Sequence, residues 1–227
     1  MRVDRAETQP RMGAPASWRQ LPLWVVALIA VCCAVEAIII LLTVTGMPEA
    51  RQIATVYGAF WSQLVNGSLL PVYAGQPLLM VVTYGLLHGG VLHLAMNMVS
   101  LAVVARELTR LIGSGPMAMV YVVSQVAAAG LFALMSPEAG PMVGASGAIF
   151  GLAGALVVVV AARRREMGQP MGPLWRAVAN IVALNLGLMF LVPNIAWQAH
   201  LGGAIAGVVL GLLLNLRRQS RLAKGRR

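Results

Sequence analysis

The chain has 227 residues, of which 59% are hydrophobic and only 11% are charged, and its mean hydropathy is +0.80. A soluble domain is about 45–50% apolar and about 25% charged, so this composition excludes an ordinary soluble protein and predicts an all-α protein that crosses a membrane several times. The net charge of +10 does not indicate nucleic-acid binding, because the basic residues gather in tails and short loops without interleaved aromatic residues.

The chain begins with a polar tail and a first membrane helix. Residues 1–20 carry four arginines and two prolines, which is typical of a disordered cytoplasmic tail. The apolar run Leu21–Thr45 is too long for the core of a signal peptide, and it predicts a membrane helix that ends before Gly46 and Pro48. Glu36 lies in the middle of this run. Because a charge there is costly, we expect its side chain to face the bundle, in a structural hydrogen bond or as a proton carrier.

The rest of the chain predicts one loop and five further spans. Gln52–Pro77 has no clean membrane-spanning run, so we expect an extracytoplasmic loop that partly enters the membrane interface. The five apolar runs that follow predict helices at about Leu78–Ala105 (with a short lead-in segment), Pro116–Met135, Gly144–Ala162, Leu174–Val192 and Ala196–Leu216. We therefore predict a bundle of six transmembrane helices over residues 21–216, followed by a basic cytoplasmic tail at residues 217–227.

The basic residues predict the orientation of this bundle. If both tails lie on one side of the membrane, that side holds sixteen of the seventeen lysines and arginines, and the other side holds only Arg51. Cytoplasmic loops of membrane proteins carry the excess of basic residues, so this asymmetry places both termini in the cytoplasm. We expect an integral, multi-pass protein of the plasma membrane, or of the inner membrane in a bacterium.

A motif at the outer end of the fourth predicted helix combines a hydroxyl with small residues. Ser146 lies between Gly144 and Gly147, and Gly151 follows one turn later. A serine in an apolar helix often bonds only to a carbonyl one turn earlier, but small residues let a neighbouring helix approach closely. The sixth predicted helix offers a matching row at spacings of three and four: His200, Gly203, Gly207 and Gly211. A serine and a histidine are therefore predicted to meet across two tightly packed helices.

Depth in the membrane supports this pairing. Ser146 lies seventeen positions before Arg163, and His200 lies seventeen positions before Arg217, on two helices that run in the same direction. At 1.5 Å per residue, both side chains lie about 25 Å above the cytoplasmic boundary. This indicates a nucleophile, Ser146, with His200 as its base. The competing interpretation is that Ser146 only packs helices together.

The second predicted helix adds two polar residues at a similar depth. His93 and Asn97 lie one turn apart on one face, and His93 is thirteen positions before Arg106, about 20 Å above the cytoplasmic boundary. Both side chains can donate hydrogen bonds, which is the property that an oxyanion hole requires. His88 lies nearer the outer surface, where we expect a structural hydrogen bond.

Three segments together resemble the rhomboid family of intramembrane serine proteases. They are His88-Gly-Gly-Val-Leu-His93-Leu-Ala-Met-Asn97-Met, Gly144-Ala-Ser146-Gly147 and Ala199-His200-Leu-Gly-Gly203-Ala-Ile-Ala-Gly207. They fall, in the same order, on the helices that carry them in that family, and the likeness spans about residues 20–217. The resemblance implies a six-helix rhomboid bundle that hydrolyses peptide bonds inside the bilayer.

The resemblance also implies roles for individual residues. Ser146 would be the nucleophile and His200 the base, in a dyad without a carboxylate. His93, Asn97 and the backbone N–H of Ser146 would bind the oxyanion. Phe150 stands where family members often have a tyrosine packed on the catalytic histidine. The supporting residues would be His88, Phe150, Gly144, Gly147, Gly203 and Gly207.

Two segments near the expected site are harder to place. Many family members carry a Trp-Arg pair ahead of the first histidine, but Leu79 and Met80 occupy that region here, so the first loop is expected to dock differently. The short turn Pro193–Gln198 would cap a cavity that admits water to Ser146 from the outer face. By analogy with the family, the fifth helix and this cap would move to admit substrate.

The partners implied are the lipid bilayer and the transmembrane segments of substrate proteins, which would be cleaved near the outer membrane face. The alternative is a non-catalytic rhomboid-like protein that binds transmembrane segments, but such proteins typically lose the serine or the histidine, and this chain keeps both. A small transporter that relays protons through Glu36, His88 and His93 is a further alternative, although no inverted repeat is evident. No carboxylate or thiolate matches the histidines in depth outside the first helix, so we expect no metal and no cofactor. The sequence does not predict the oligomeric state.

Overall fold

The computed structural model describes residues 21–191 and 196–224, and α-helices make up most of that part of the chain. Their ranges are α1 Leu23–Val44, α2 Ala50–Gly58, α3 Ser62–Asn66, α4 Gln76–Thr83, α5 Val91–Ile112, α6 Ser114–Met135, α7 Ser146–Glu166, α8 Gly172–Leu191 and α9 Trp197–Lys224. No strand occurs within these residues, apart from an isolated bridge between Phe60 and Met142. The predicted all-α fold is confirmed.

Five of the described helices are long and apolar enough to cross a membrane, namely α1, α5, α6, α7 and α9. The prediction of an integral, multi-pass membrane protein is therefore confirmed. α8 stands in the place of the fifth predicted span and is 20 residues long, but most side chains of its last two turns lie outside the described part of the chain. The sixth span thus remains a prediction. The tail at residues 1–20 and the turn at Pro193-Asn194 also lie outside the described residues.

The segment between the first two spans is more regular than the predicted loop. It holds the short helices α2 and α3. Gly67 follows the last residue of α3 with a φ of 78°, a backbone conformation that glycine adopts more readily than other residues. Two backbone hydrogen bonds of 2.9 and 3.0 Å between Phe60 and Met142 tie this segment to the chain just before α7. Helices of five to nine residues are stabilised by tertiary packing rather than by their own sequence, so hydropathy did not reveal them.

The lead-in segment predicted within Leu78–Ala105 is a separate short helix, and the predicted end of the second helix at Ala105 is wrong. α4 and one turn of 3-10 helix at Tyr84–Leu86 are followed by a break, and α5 begins after Gly90, which has a φ of 137°. α5 continues past Arg106 to Ile112. Arginines end the membrane-embedded part of a helix but not the helix itself, because its backbone hydrogen bonds continue equally well in water.

The same reason explains the last helix, which was predicted to end at Leu216 but continues through the basic tail to Lys224. Arg218 pairs there with Glu166 at the end of α7. Arg163 lies near the same end, where its Nη2 donates to the Leu111 carbonyl at 2.6 Å. The basic ends of α5, α7 and α9 are therefore linked at one end of the bundle.

α7 lies at the centre of the bundle and packs mainly against α9 and α6. Its approach to α9 depends on glycine, because a Cβ atom on Gly203 would overlap the carbonyl of Gly147, and one on Gly207 would overlap the carbonyl of Gly151. The structure thus brings the two predicted glycine faces together. This contact sets how closely the first residues of α7 and α9 can approach each other.

Candidate active site

Ser146 is the first residue of α7, and a sharp turn at Gly144 places it there. Gly144 has a φ of 116°, and its N–H donates to the Tyr84 carbonyl at 2.8 Å. A Cβ atom on Gly144 would lie 2.9 Å from the ring of His93 and 3.9 Å from Ser146 Oγ. Because glycine has no side chain, space remains at Gly144 between His93 and Ser146. The first N–H groups of an α-helix have no carbonyl to donate to within the helix, so the Ser146 N–H is oriented away from α7.

His200 lies in the first turn of α9 and faces Ser146. Its Nε2 is 2.8 Å from Ser146 Oγ, which is hydrogen-bond distance. The sequence placed these residues at equal depth on separate helices, and the structure brings them into contact. A hydroxyl and an imidazole in this arrangement have the geometry of a nucleophile and its general base.

Phe150 lies one turn after Ser146 on the same face of α7. Its ring is stacked on the imidazole of His200, with the ring centroids 4.5 Å apart and the planes inclined by 15°. This is the contact that the resemblance implied. A stacked ring can limit the rotation of an imidazole, and Phe150 lies where it could keep Nε2 directed at the Ser146 hydroxyl.

His93 lies in the first turn of α5, on the far side of Gly144 from α7. Its Nδ1 accepts a hydrogen bond from the Gly89 N–H at 3.2 Å. A neutral imidazole whose Nδ1 accepts carries its proton on Nε2, and Nε2 is one of the two ring atoms beside Gly144. His93 therefore presents a hydrogen-bond donor toward the space next to Ser146.

Asn97 is buried one turn below His93, and its Nδ2 donates to the His93 carbonyl at 2.9 Å. One amide hydrogen is thus used within α5, and the second remains for another acceptor. Asn97 Oδ1 is buried without a hydrogen-bond partner among the described residues. His88 is also buried, and its ring lies edge-on to that of His93, with centroids 5.2 Å apart. Both ring nitrogens of His88 are buried without a hydrogen-bond partner among the described residues, so the predicted structural hydrogen bond of its side chain is not found, and the ring contacts His93 by packing.

One polar connection near the site was not predicted from the sequence. Arg51 pairs with Glu36 at 2.7 Å, and its Nη1 donates to the His88 carbonyl at 2.7 Å. Glu36 does face the bundle and makes a structural contact, as predicted. The hydrogen bond to Glu36 raises the pKa of Arg51 above its usual value. A guanidinium is charged at neutral pH in any case. The one acidic residue of the first apolar run and the one basic residue of the segment between the first two predicted helices were the signal that could have identified the pair.

Within residues 21–191 and 196–224, no three His, Cys, Asp or Glu side chains are grouped so that they could hold a metal ion. A cavity of about 680 Å³ lies between α1 and α2, and Arg51 and Trp61 line it, but Ser146 does not. The predicted cap at Pro193–Gln198 is described only from residue 196, where Gln198 Nε2 donates to Ser136 Oγ at 2.7 Å.

Comparison with known proteins extends these observations. The family model described as Rhomboid domain matches residues 76–217, which is more than half of the chain. Rhomboid protease GluP of Bacillus subtilis (strain 168) is 35% identical over 130 residues, which cover 57% of this chain and 25% of GluP. YdcA of the same organism is 31% identical over 161 residues, which cover 71% of this chain and 79% of YdcA. RHOMBOID-like protein 5 of Arabidopsis thaliana is 36% identical over 135 residues, which cover 59% of this chain and 43% of that protein. The chain thus spans less than half the length of GluP and of RHOMBOID-like protein 5.

Proposed function

The chain belongs to the rhomboid family, and from this we propose that it is an intramembrane serine endopeptidase. It would cleave the transmembrane segments of other membrane proteins near the outer membrane face. The observation that carries the proposal is the 2.8 Å distance between His200 Nε2 and Ser146 Oγ. A serine hydroxyl is a weak nucleophile until an adjacent base takes its proton, and His200 is placed to do this.

The proposed reaction proceeds through an acyl-enzyme. Ser146 Oγ attacks the scissile carbonyl carbon while His200 Nε2 takes the hydroxyl proton. The carbonyl oxygen becomes an oxyanion, to which His93 Nε2–H, the Asn97 amide and the Ser146 N–H would donate hydrogen bonds. His200 returns the proton to the leaving nitrogen, so that the peptide bond breaks. A water molecule then attacks the acyl carbon, with His200 again as the base, and releases the Ser146 hydroxyl.

The proposed dyad has no carboxylate to orient its base, so we propose that side-chain packing against His200 orients the imidazole. The stacked ring of Phe150 would hold the imidazole plane. The membrane position of the dyad would restrict substrates to segments that lie in the bilayer. Both termini would be cytoplasmic, because sixteen of the seventeen lysines and arginines would then lie on the cytoplasmic side.

The test is co-expression with a panel of single-span reporter proteins, scored for cleavage near the outer membrane face. Ser146→Ala and His200→Ala should each abolish cleavage while the protein still inserts into the membrane. Because the two residues act as a unit, the double variant should be no slower than either single variant. Substantial cleavage by Ser146→Ala would contradict the proposal.

The alternative, a non-catalytic protein that binds transmembrane segments, is separated by covalent labelling. A fluorophosphonate probe reacts with an activated serine, so the wild-type protein should be labelled and Ser146→Ala should not. A wild-type protein that stays unlabelled but co-purifies with the reporters would favour the alternative.

A further inference from the structure

A bidentate ion pair joins α1 to α2 near the candidate site. The guanidinium of Arg51 donates to both carboxylate oxygens of Glu36, at 2.7 Å and 3.1 Å. The Glu36 side chain is only 3% exposed, whereas Arg51 is 36% exposed. A carboxylate so deeply buried needs a cation in good geometry, because an unpaired charge there would be strongly destabilising. The pair therefore holds the guanidinium in one position.

The guanidinium makes a third hydrogen bond, to the peptide bond between His88 and Gly89. Arg51 Nη1 donates to the His88 carbonyl oxygen at 2.7 Å. The N–H of the same peptide, on Gly89, donates to His93 Nδ1 at 3.2 Å. The C=O and N–H of a trans peptide point in opposite directions, and no cis peptide occurs among the described residues. Arg51 and His93 therefore lie on opposite sides of a single peptide group.

Through this peptide, the charge of Arg51 can influence which ring nitrogen of His93 carries the proton. When a carbonyl accepts a hydrogen bond from a charged donor, its peptide group becomes more polarised. The N–H on the other side of that peptide is then a stronger hydrogen-bond donor. That N–H requires an unprotonated Nδ1, so the proton of the neutral ring lies on Nε2. Nε2 is the nitrogen beside Gly144, on the side of Ser146.

We propose that Arg51, held by Glu36, is a positioning residue that keeps His93 in the tautomer with its proton on Nε2. In that tautomer His93 can donate to the oxyanion that forms at Ser146. The inference rests on the proposed function, because it needs an oxyanion in that place. Arg51 acts only through the peptide between His88 and Gly89.

If the ion pair had only a structural role, it would not need the hydrogen bond from Arg51 to the His88 carbonyl. To hold α1 against α2, the two hydrogen bonds between Arg51 and Glu36 are sufficient. The 2.7 Å hydrogen bond to the His88 carbonyl is what couples the pair to the site. Gly90 then lets the chain turn into α5 with a φ of 137°, which brings His93 back to the Gly89 N–H.

The direct test is 15N NMR of histidine-labelled protein in nanodiscs. The His93 signals are identified by their absence from the His93→Ala spectrum. We expect an unprotonated Nδ1 and a protonated Nε2 in the wild type and equally in Ser146→Ala, which makes this readout independent of activity. The double variant Glu36→Gln with Arg51→Met removes both charges. Glutamine keeps the length of Glu36, and methionine keeps only the unbranched apolar stem of Arg51. In this double variant, the His93 signals should shift toward a mixture of the two tautomers.

A matched control lies on the same segment. Trp61 Nε1 donates to the Thr55 carbonyl at 3.2 Å, so Trp61→Phe removes a hydrogen bond next to α2 without touching the His88 carbonyl. Its His93 signals should equal those of the wild type. Arg51→Lys is the second variant if the double variant does not fold. It keeps a charge beside Glu36 but lacks the planar fork that reaches both partners, so the same shift is expected.

Cleavage kinetics give the second readout. In the double variant, kcat on a reporter should fall about tenfold to a hundredfold, by analogy with the loss when the residue that orients a metal-binding histidine is removed, while KM stays near the wild-type value. Since Arg51 acts through His93, adding His93→Ala should make the double variant no slower than His93→Ala alone. Two independent structural losses would instead multiply.

The outcomes separate this inference from the proposed function. A wild-type His93 with its proton on Nδ1, or folded Arg51 variants with wild-type His93 signals, overturns the inference. A wild-type protein without Ser146-dependent cleavage overturns the proposed function, whatever the NMR spectra show.

Discussion

The phenyl ring of Phe150 lies nearly parallel to the imidazole of His200, with the ring centroids 4.5 Å apart. His200 lies in the first turn of α9, and Phe150 begins the second turn of α7. The two helices pack through glycine on both sides. In the proposed dyad no carboxylate orients the base. The aromatic contact is therefore the feature that we expect to fix the direction of His200 Nε2.

This contact predicts the effect of replacing Phe150. Phe150→Leu keeps an apolar side chain but removes the flat ring, so the imidazole gains rotational freedom. We expect kcat on a reporter to fall about tenfold to a hundredfold, because small misplacements of a catalytic group are costly. Phe150→Tyr keeps the ring and should cleave at close to the wild-type rate. Turnover per folded molecule is the measurement, and a wild-type kcat in Phe150→Leu would show that stacking does not orient the base.

A second prediction concerns Asn97, whose amide has one hydrogen left after its bond to the His93 carbonyl. If that hydrogen serves the oxyanion, Asn97→Ala should lower kcat about a hundred- to a thousandfold, the usual loss for one oxyanion donor. KM should stay near its wild-type value, because the contact forms only in the transition state. Stability should change by only about 1 kcal/mol.

If Asn97 has only a structural role, a different result is expected. Asn97→Ala should then unfold the bundle, with residual cleavage that follows the folded fraction. His93→Ala should behave like Asn97→Ala in the proposed mechanism, whereas His88→Ala should lose stability more than turnover. A normal turnover per folded Asn97→Ala molecule would make Asn97 a scaffold residue.

The third prediction tests the helix contact that brings the dyad together. Gly207→Ala places a Cβ atom against the backbone carbonyl of Gly151, so α7 and α9 must separate. We expect a loss of about 1–3 kcal/mol in the free energy of unfolding, the usual range for overpacking, together with lower kcat. Gly130→Ala is the matched control, because a Cβ atom there meets nothing within 4 Å. It should be neutral or stabilising by up to about 1 kcal/mol. Equal stabilities of the two variants in thermal unfolding would contradict this account.

The fourth prediction concerns orientation. In a background without Cys32 and Cys33, a cysteine that replaces the exposed Glu138 should react with an impermeant thiol reagent added outside. A cysteine at Ser220, near the end of α9, should react only after the membrane is opened. The reverse pattern would place the candidate site near the cytoplasmic face.

The sequence was sufficient to locate five apolar helices long enough to span a membrane, and to place Ser146 and His200 at matching positions along two of them. Apolar runs of about 20 residues have few alternatives to membrane helices, and a constant rise per residue converts positions into depth. Ser146 and His200 could therefore be matched before any contact was known. Glycine spacing on both helices further indicated which faces pack.

The sequence did not determine where helices break or how long they continue. The break before α5 depends on the φ of Gly90, and α9 continues to Lys224 because charged residues leave the membrane without leaving the helix. α2 and α3 are too short to be stable alone, so their existence depends on packing against the rest of the bundle.

Apart from the contact of Ser146 with His200, only the tertiary structure decided which polar groups meet. Arg51, Glu36 and His88 lie on three different segments, and their contacts depend on the rotation and approach of those segments, which hydropathy does not encode. The same holds for the hydrogen bond between Gly89 and His93, which needs a positive φ at the next residue. Helix positions follow from local composition and rise per residue, whereas side-chain partners follow from the global packing that no single segment specifies.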